Sequence, residues 1–209
     1  MPIYADETVV VPMLTKMKLP RHVLLELANK TGGERANVAE HEPGNVVGFE
    51  TWRWGTRYAR EDETLNKLGW VLCDHNQVAG IRHPELKIKF VCCGTDVNTG
   101  NPGRSPRNLS ERGVNSCKLI ARNAGQIEME FVEGETEPYD DLWYFCSYFC
   151  DKFISIEVSR PTSEIGGFVT AFSDRIIIAQ PGDIPGIRRI VVPQDFADVP
   201  KPQVSRKIG

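Results

Sequence analysis

Asp74, Glu85 and Lys87 are the residues of this 209-residue chain whose types and spacing best suit catalysis. Two hard carboxylate oxygens can hold a Mg²⁺ ion that keeps several of its waters. Such an ion acidifies an attacking water and neutralises charge on a phosphoryl group, while an ammonium beside it orients the nucleophile or stabilises the oxygens of the pentavalent phosphorus. The sequence predicts how the three meet. Asp74 ends the apolar run WVLCD at 70–74, HNQVAG supplies a turn, and ELKIKFVCC at 85–93 alternates as a strand. Residues i and i+2 of a strand share a face, so Glu85 and Lys87 project together and a neighbouring strand sets Asp74 beside them.

Asp74 followed by Glu85-Leu86-Lys87 resembles the catalytic pattern of the PD-(D/E)XK nuclease superfamily, an acid followed at variable distance by acid-any-Lys. The resemblance covers residues 74–87. It implies a mixed sheet with the first acid on one strand and the E-x-K on the next, Mg²⁺ as cofactor, and hydrolysis of DNA phosphodiester bonds by a restriction-type endonuclease. Carried over residue by residue, Asp74 and Glu85 look like metal ligands and Lys87 like the charged helper. Glu50 is the candidate for the further acid that many such nucleases place on an N-terminal helix. Pro84 suits the start or edge of a strand better than its centre.

Other chemistries find less support. His75 and His83 flank the same turn and are candidates to assist the metal or to bind phosphate, with solvated loop histidines the plainer reading. Cys146-x3-Cys150 and the adjacent Cys92-Cys93 lack the paired spacing of a zinc site and lie in apolar runs where buried thiols are expected. The sequence contains no G-x-S-x-G elbow, no G-x-x-x-x-G-K-[ST] and no G-x-G-x-x-G after a strand.

The elements that must position these residues read as α/β or α+β: two or three helices against a mixed sheet of five to seven strands. PRHVLLELANKTGG at 20–33 predicts a packing helix stopped by Gly32–Gly33. A second helix is expected over most of 50–68, ended by Gly69, with Arg53, Arg57 and Arg60 lined up along it. That stripe is either a solvated face flanked by carboxylates or a phosphate-contacting one. Residues 94–116 are rich in Gly, Pro, Asn and Ser and read as a long loop. Strands are expected at 127–132, 142–149, 153–158, 175–179 and 189–192, with Gly166-Gly167 turning between 153–158 and the apolar stretch 168–172. Residues 1–192 are taken as one globular domain and 193–209 as a Pro-rich extended tail.

Charge is uneven although the whole chain carries only −3. Residues 96–126 hold five bases (Arg104, Arg107, Arg112, Lys118, Arg122) against two acids, whereas 127–167 hold ten acids against two bases. Arginines among Gly, Pro and Asn suit a phosphate-contacting loop, so Arg53, Arg57, Arg104, Arg107 and Arg112 are the candidate nucleic-acid-binding residues. DNA or another nucleic acid is the expected partner, with a homodimer as one assembly open to the chain. Two further readings stay open: a non-catalytic nucleic-acid-binding module using those arginines with Trp52, Trp54 and Tyr58, and a regulatory subunit that meets protein partners through its acidic stretch and tail. Neither an export signal nor a run of about 20 apolar residues is present, so a soluble cytoplasmic protein with reduced thiols is expected.

Overall fold

The computed structural model describes residues 1–38, 41–43, 46–125 and 140–187. In chain order the elements are β1 (Ile3–Tyr4), α1 (Glu7–Lys16), α2 (Arg21–Ala36), α3 (Val46–Glu61), α4 (Glu63–Lys67), β2 (Val71–Cys73), a 3-10 turn (His75–Gln77), β3 (Gly80–His83), β4 (Ile88–Gly94), α5 (Val114–Asn123), β5 (Asp141–Phe149), β6 (Phe153–Ile165) and β7 (Phe168–Pro185). The fold is α/β, built on a seven-stranded mixed sheet in the order β1-β7-β6-β5-β4-β3-β2. β4 and β5 run parallel, joined by the crossover through α5, and β1 runs parallel to β7; the other neighbours are antiparallel. The strands expected at 127–132 and 189–192 and the tail 193–209 lie outside the described residues. No helix among the described residues is long and apolar enough to cross a membrane.

Alternation along the strands gives the sheet two different faces. Phe90, Cys92, Phe145, Ile154, Ile156, Val158 and Ile176 point to one side and bury against Val10 and Leu14 of α1, Leu24 and Leu27 of α2 and Ala59 of α3. The opposite side holds Val91, Cys93, Leu142, Tyr144 and Cys146 with Ile120 of α5. Beside them, on the same side, stand Ser155, Glu157 and Ser159 of β6 and Arg175 of β7, all fully buried. The helical face is therefore an apolar core, and the other face carries polar groups that something must cover.

The cover is the long loop between β4 and α5. Arg175 meets Glu157 through Nε to Oε1 at 2.8 Å and Nη2 to Oε2 at 2.6 Å, and both side chains are completely inaccessible to solvent. Two further guanidinium protons go to the loop, with Nη1 donating to the Arg104 carbonyl at 2.8 Å and Nη2 to that of Asn101 at 3.1 Å. Glu157 in turn accepts the Gly100 N–H at 2.8 Å and the Ser159 hydroxyl at 2.7 Å. Gly100 is required there, because its φ is +73° and a Cβ would lie 2.5 Å from the Ala179 carbonyl oxygen. Asp96 closes the loop's first turn by accepting from the backbone N–H groups of Asn98 and Arg107.

Five helices stand among the described residues where two or three were expected. α1 forms despite Pro12 because Asp6 caps it, accepting the Thr8 N–H at 2.8 Å, and because the carbonyl that Pro12 cannot satisfy belongs to the exposed Thr8. α2 passes through Gly32-Gly33 and ends at Ala36. Gly32 is a packing residue, since a Cβ on it would lie 3.1–3.2 Å from Phe149, Ile154 and Ile187. The helix expected over 50–68 starts earlier and divides at Asp62, whose carboxylate caps α4 by accepting the Leu65 N–H; Gly69, at φ +98°, ends it as expected. Residues 168–172 and 175–179 are one strand, β7, which turns from β6 at Gly166-Gly167.

Removing one partner of a buried ion pair leaves the other charge uncompensated, so Arg175→Ala is expected to cost about 3–5 kcal/mol in urea unfolding. The double replacement Glu157→Leu/Arg175→Met should recover much of that loss. It still strips the loop of its anchors, and limited proteolysis should then cut within residues 96–112 of the double variant and spare the wild type.

Candidate functional site

The hairpin at the β2 edge of the sheet is where Asp74, Glu85 and Lys87 were expected to converge. β2 pairs with β3 through Cys73↔Gly80, and β3 with β4 through His83↔Ile88. Asp74 follows the end of β2 near Gly80, whereas Pro84-Glu85-Leu86-Lys87 is the turn beyond His83. At about 3.3 Å per strand residue, β3 alone puts roughly 10 Å between them. The strand expected over 85–93 begins only at Ile88. Pro84 lacks the N–H a ladder needs, Lys87 takes a left-handed φ of +53°, and the Leu86 N–H closes the turn on His83 Nδ1. Glu85 and Lys87 thus share a turn and no strand face.

Each acid also has a cation of its own. Asp74 Oδ1 accepts from Arg60 Nη2 at 2.5 Å, and Arg60 further donates to the carbonyls of Cys73 and Gly80, which makes it a clamp between α3 and the hairpin. Glu85 is exposed and pairs with Lys18 at 3.3 Å. Glu50 pairs with Arg53 at 3.1 Å and lies ten residues before Arg60 on α3, about 15 Å along the axis. Asp74, Glu85 and Glu50 therefore do not surround a common point. Among the described residues no group of three His, Cys, Asp or Glu side chains could hold a metal ion. The residues present do not fit the expected Mg²⁺ site. His83 is a core residue, edge-on to Trp70 at 5.5 Å, with Nε2 donating to the Leu68 carbonyl when Nδ1 accepts from Leu86. His75 is exposed on its short turn.

The expected nucleic-acid residues divide into two sets. Arg112 turns inward, placing Nη2 2.9 Å from Cys93 Sγ and its guanidinium 5.4 Å from the Tyr144 ring centre. Its charge is spent inward on Cys93 and Tyr144, although the side chain remains part-exposed. Arg104 and Arg107 point outward and are paired with no acid among the described residues; Arg107 lies 4.2 Å over the Phe168 ring. On α3, Arg53 and Arg57 both lie about 5 Å from the Trp54 ring centre, each also bonded to a carboxylate, Glu50 and Glu61 respectively. Trp54 stacks on Tyr58 at 5.5 Å, and burial, with the hydrogen bond that Tyr58 donates to Glu34, pushes the Tyr58 hydroxyl up to about 12.

Exposed apolar side chains gather at the carboxyl ends of β4 and β5, a sector of which sequence reasoning reached Trp52 but neither Phe49 nor Leu109. Phe49 is 54% exposed and packs on Trp52 at 5.7 Å. The first turns of α3 abut the returning loop: a Cβ on Gly48 would lie 3.7 Å from Ser110 Oγ, and one on Gly94 would lie 3.6 Å from Thr51 Cγ2. Leu109, 58% exposed, belongs to that same stretch of loop. In α/β sheets the crevice outside the carboxyl ends of parallel strands is the usual place for a ligand. Only the burial of Thr51 and Gly55 on the opposite side of α3 turns Phe49 and Trp52 outward, and the sequence carries no local mark of it.

Beneath the loop lies a thiol cluster. Cys93 and Cys146 are register partners on the parallel strands β4 and β5, and Cys146 is in turn the partner of Glu157. A hydrogen bond from Cys146 and the Arg112 guanidinium lower the Cys93 thiol to about 7 against the effect of burial. The same hydrogen bond and burial raise Cys146 well above the usual thiol range. Cys92, on the helical face, is pushed by burial up to about 12. All six cysteines are free thiols.

Because the Lys18–Glu85 pair is exposed, Glu85→Ala is expected to change stability by no more than about 1 kcal/mol. Lys87→Gly should stabilise the hairpin by up to ~1 kcal/mol, since glycine adopts the left-handed turn conformation without the Cβ clash. Urea denaturation midpoints check both. No family model, no curated protein and no solved structure matches the chain.

Proposed function

We propose that the protein is a nucleic-acid-binding module that takes unpaired bases on Phe49 and Trp52 and backbone phosphates on Arg104, Arg107 and Arg53. The observation that carries this reading is the adjacency of a half-exposed aromatic pair to a loop that is hydrogen-bonded onto the sheet and whose arginines Arg104 and Arg107 face solvent. Aromatic side chains stack on any base, and guanidinium groups track the backbone without reading sequence. A duplex hides the faces of its bases, so a single strand or a locally opened one is the favoured ligand. Asp96 spends its carboxylate on the loop's own backbone, and Glu50 offsets part of the Arg53 charge, so Arg104 and Arg107, without a carboxylate partner among the described residues, are the principal phosphate contacts.

The magnesium-dependent endonuclease reading has only the motif resemblance behind it, because Asp74, Glu85 and Lys87 lie at separate ends of a hairpin. The same experiment tests it.

Fluorescence anisotropy with a labelled single-stranded oligonucleotide, in EDTA and at low salt, should report binding that weakens linearly in log–log form as salt rises. Arg104→Ala/Arg107→Ala should flatten that slope by about 1.4, at roughly 0.7 for each phosphate of a single strand that is no longer neutralised. Phe49→Ala should cost about 1–3 kcal/mol of affinity with the slope unchanged. Equal binding by all three proteins, or no binding by the wild type, would discard the reading. Cleavage of plasmid in Mg²⁺ that is lost in Glu85→Ala/Lys87→Ala would restore the nuclease instead.

A further inference from the structure

The cluster under the loop has features that neither packing nor nucleic-acid binding requires. Two cysteines are register partners on adjacent parallel strands, and neighbouring strands lie about 4.8 Å apart, within the roughly 4.4–6.8 Å Cα separation that a disulfide spans. Both sulfurs project to the same face, and each shifts the titration of the other. Arg112 donates to one of them at 2.9 Å and keeps its Nε without a partner. The Tyr144 hydroxyl, almost fully buried in the same cluster, also has none. An apolar core would place neither a guanidinium nor two orphan polar atoms around a thiol, since each costs desolvation that nothing returns. The arrangement suits a sulfur that passes through a charged state next to a small polar molecule.

We propose that Cys93 and Cys146 are an oxidisable dithiol that reacts with a small hydroperoxide, Cys93 being the attacking sulfur and Cys146 the resolving one. The Cys93 thiolate attacks one peroxide oxygen, the O–O bond breaks, and the departing oxygen takes up a proton and leaves as water or an alcohol. Cys93 is then a sulfenic acid. The Cys146 sulfur attacks it, the S–O bond breaks, and the hydroxyl leaves as water with the Cys146 proton. Two thiols are oxidised to one disulfide and one peroxide is reduced. Arg112 holds the thiolate and, with the Tyr144 hydroxyl, offers hydrogen bonds to the peroxide oxygens. Cys93 itself is buried, but the Arg112 side chain above it is part-exposed, so the pair lies one side chain beneath the surface. The depressed Cys93 thiol and the raised Cys146 thiol fit these two roles.

The test treats the folded full chain with a few equivalents of hydrogen peroxide, removes the excess with catalase, and unfolds it in N-ethylmaleimide before peptide mapping. A cross-link between Cys93 and Cys146 is expected, with the other four cysteines labelled. Cys92 and Cys150 lie close in sequence to the two sulfurs, so the map is repeated on Cys92→Ala and Cys150→Ala, which should both still form the link. In Cys146→Ser, dimedone should capture a sulfenic acid at Cys93. Arg112→Gln should slow oxidation roughly tenfold, as expected when a cation that favours the thiolate is removed. Maleimide on both Cys93 and Cys146 of peroxide-treated wild type, or a link that needs Cys92 or Cys150, overturns the proposal. The wild-type labelling stands without any variant, and the Cys92→Ala and Cys150→Ala maps are read only on protein whose circular dichroism matches the wild type.

Discussion

Glu157 and Arg175 lie side by side on β6 and β7, both side chains sealed from solvent, and the second face of the sheet is organised around them. Withdrawing two charges from water costs several kcal/mol per ion, which one contact does not offset. The offset comes from satisfying almost every remaining lone pair and proton: two bonds within the pair, two carbonyls and one N–H from the loop, and the Ser159 hydroxyl. A loop with hardly any apolar side chains has no hydrophobic reason to lie on a sheet. It lies on this one because its backbone supplies the hydrogen bonds that the buried charges lack. The ion pair and the loop conformation are therefore a single cooperative unit.

Much of the scaffold could be read from the sequence because it rests on local periodicity. β5 and the start of β6 carry enough alternating or continuous apolar residues to declare themselves, and the Gly166-Gly167 turn follows from backbone freedom at positive φ. What was missed depends on partners distant in sequence. β3 is only Gly-Ile-Arg-His, and its glycine is there because a Cβ would collide with the Phe90 carbonyl oxygen across the hairpin. α5 buries only Ile120 and Asn123, too little for a helical stripe to stand out. Glu157 and Arg175 read as ordinary polar positions of strands, because nothing within a few residues of either reveals that the two faces of the sheet differ.

The candidate site was legible only as residue types. Acid, acid and lysine sit at permissive spacing in the sequence, but their convergence required a strand to extend through residues 85–87. Pro84 opposes that extension and the left-handed Lys87 ends it. The arginines were likewise visible as a group, although Arg112 and Arg104 have opposite fates. Arg112 is drawn beneath the loop because Cys93 and the face of Tyr144 offer it a partner there. An amino-acid pattern names the groups available for chemistry; the register of neighbouring strands decides which of them meet.

Arg104 shows how the two levels combine. Its backbone carbonyl faces inward and takes a proton from Arg175, while its side chain faces outward into solvent. Arg107 is tied in the same way, its N–H bonded to Asp96 and its guanidinium lying above Phe168. Binding a polyanion with a slack loop would cost the ordering of every residue in it, on top of the rotamers of the contacting side chains. Here the backbone part of that ordering is already supplied by the fold. Only the arginine side chains remain to be fixed on binding, so an interior ion pair that never touches a ligand strengthens the surface that does.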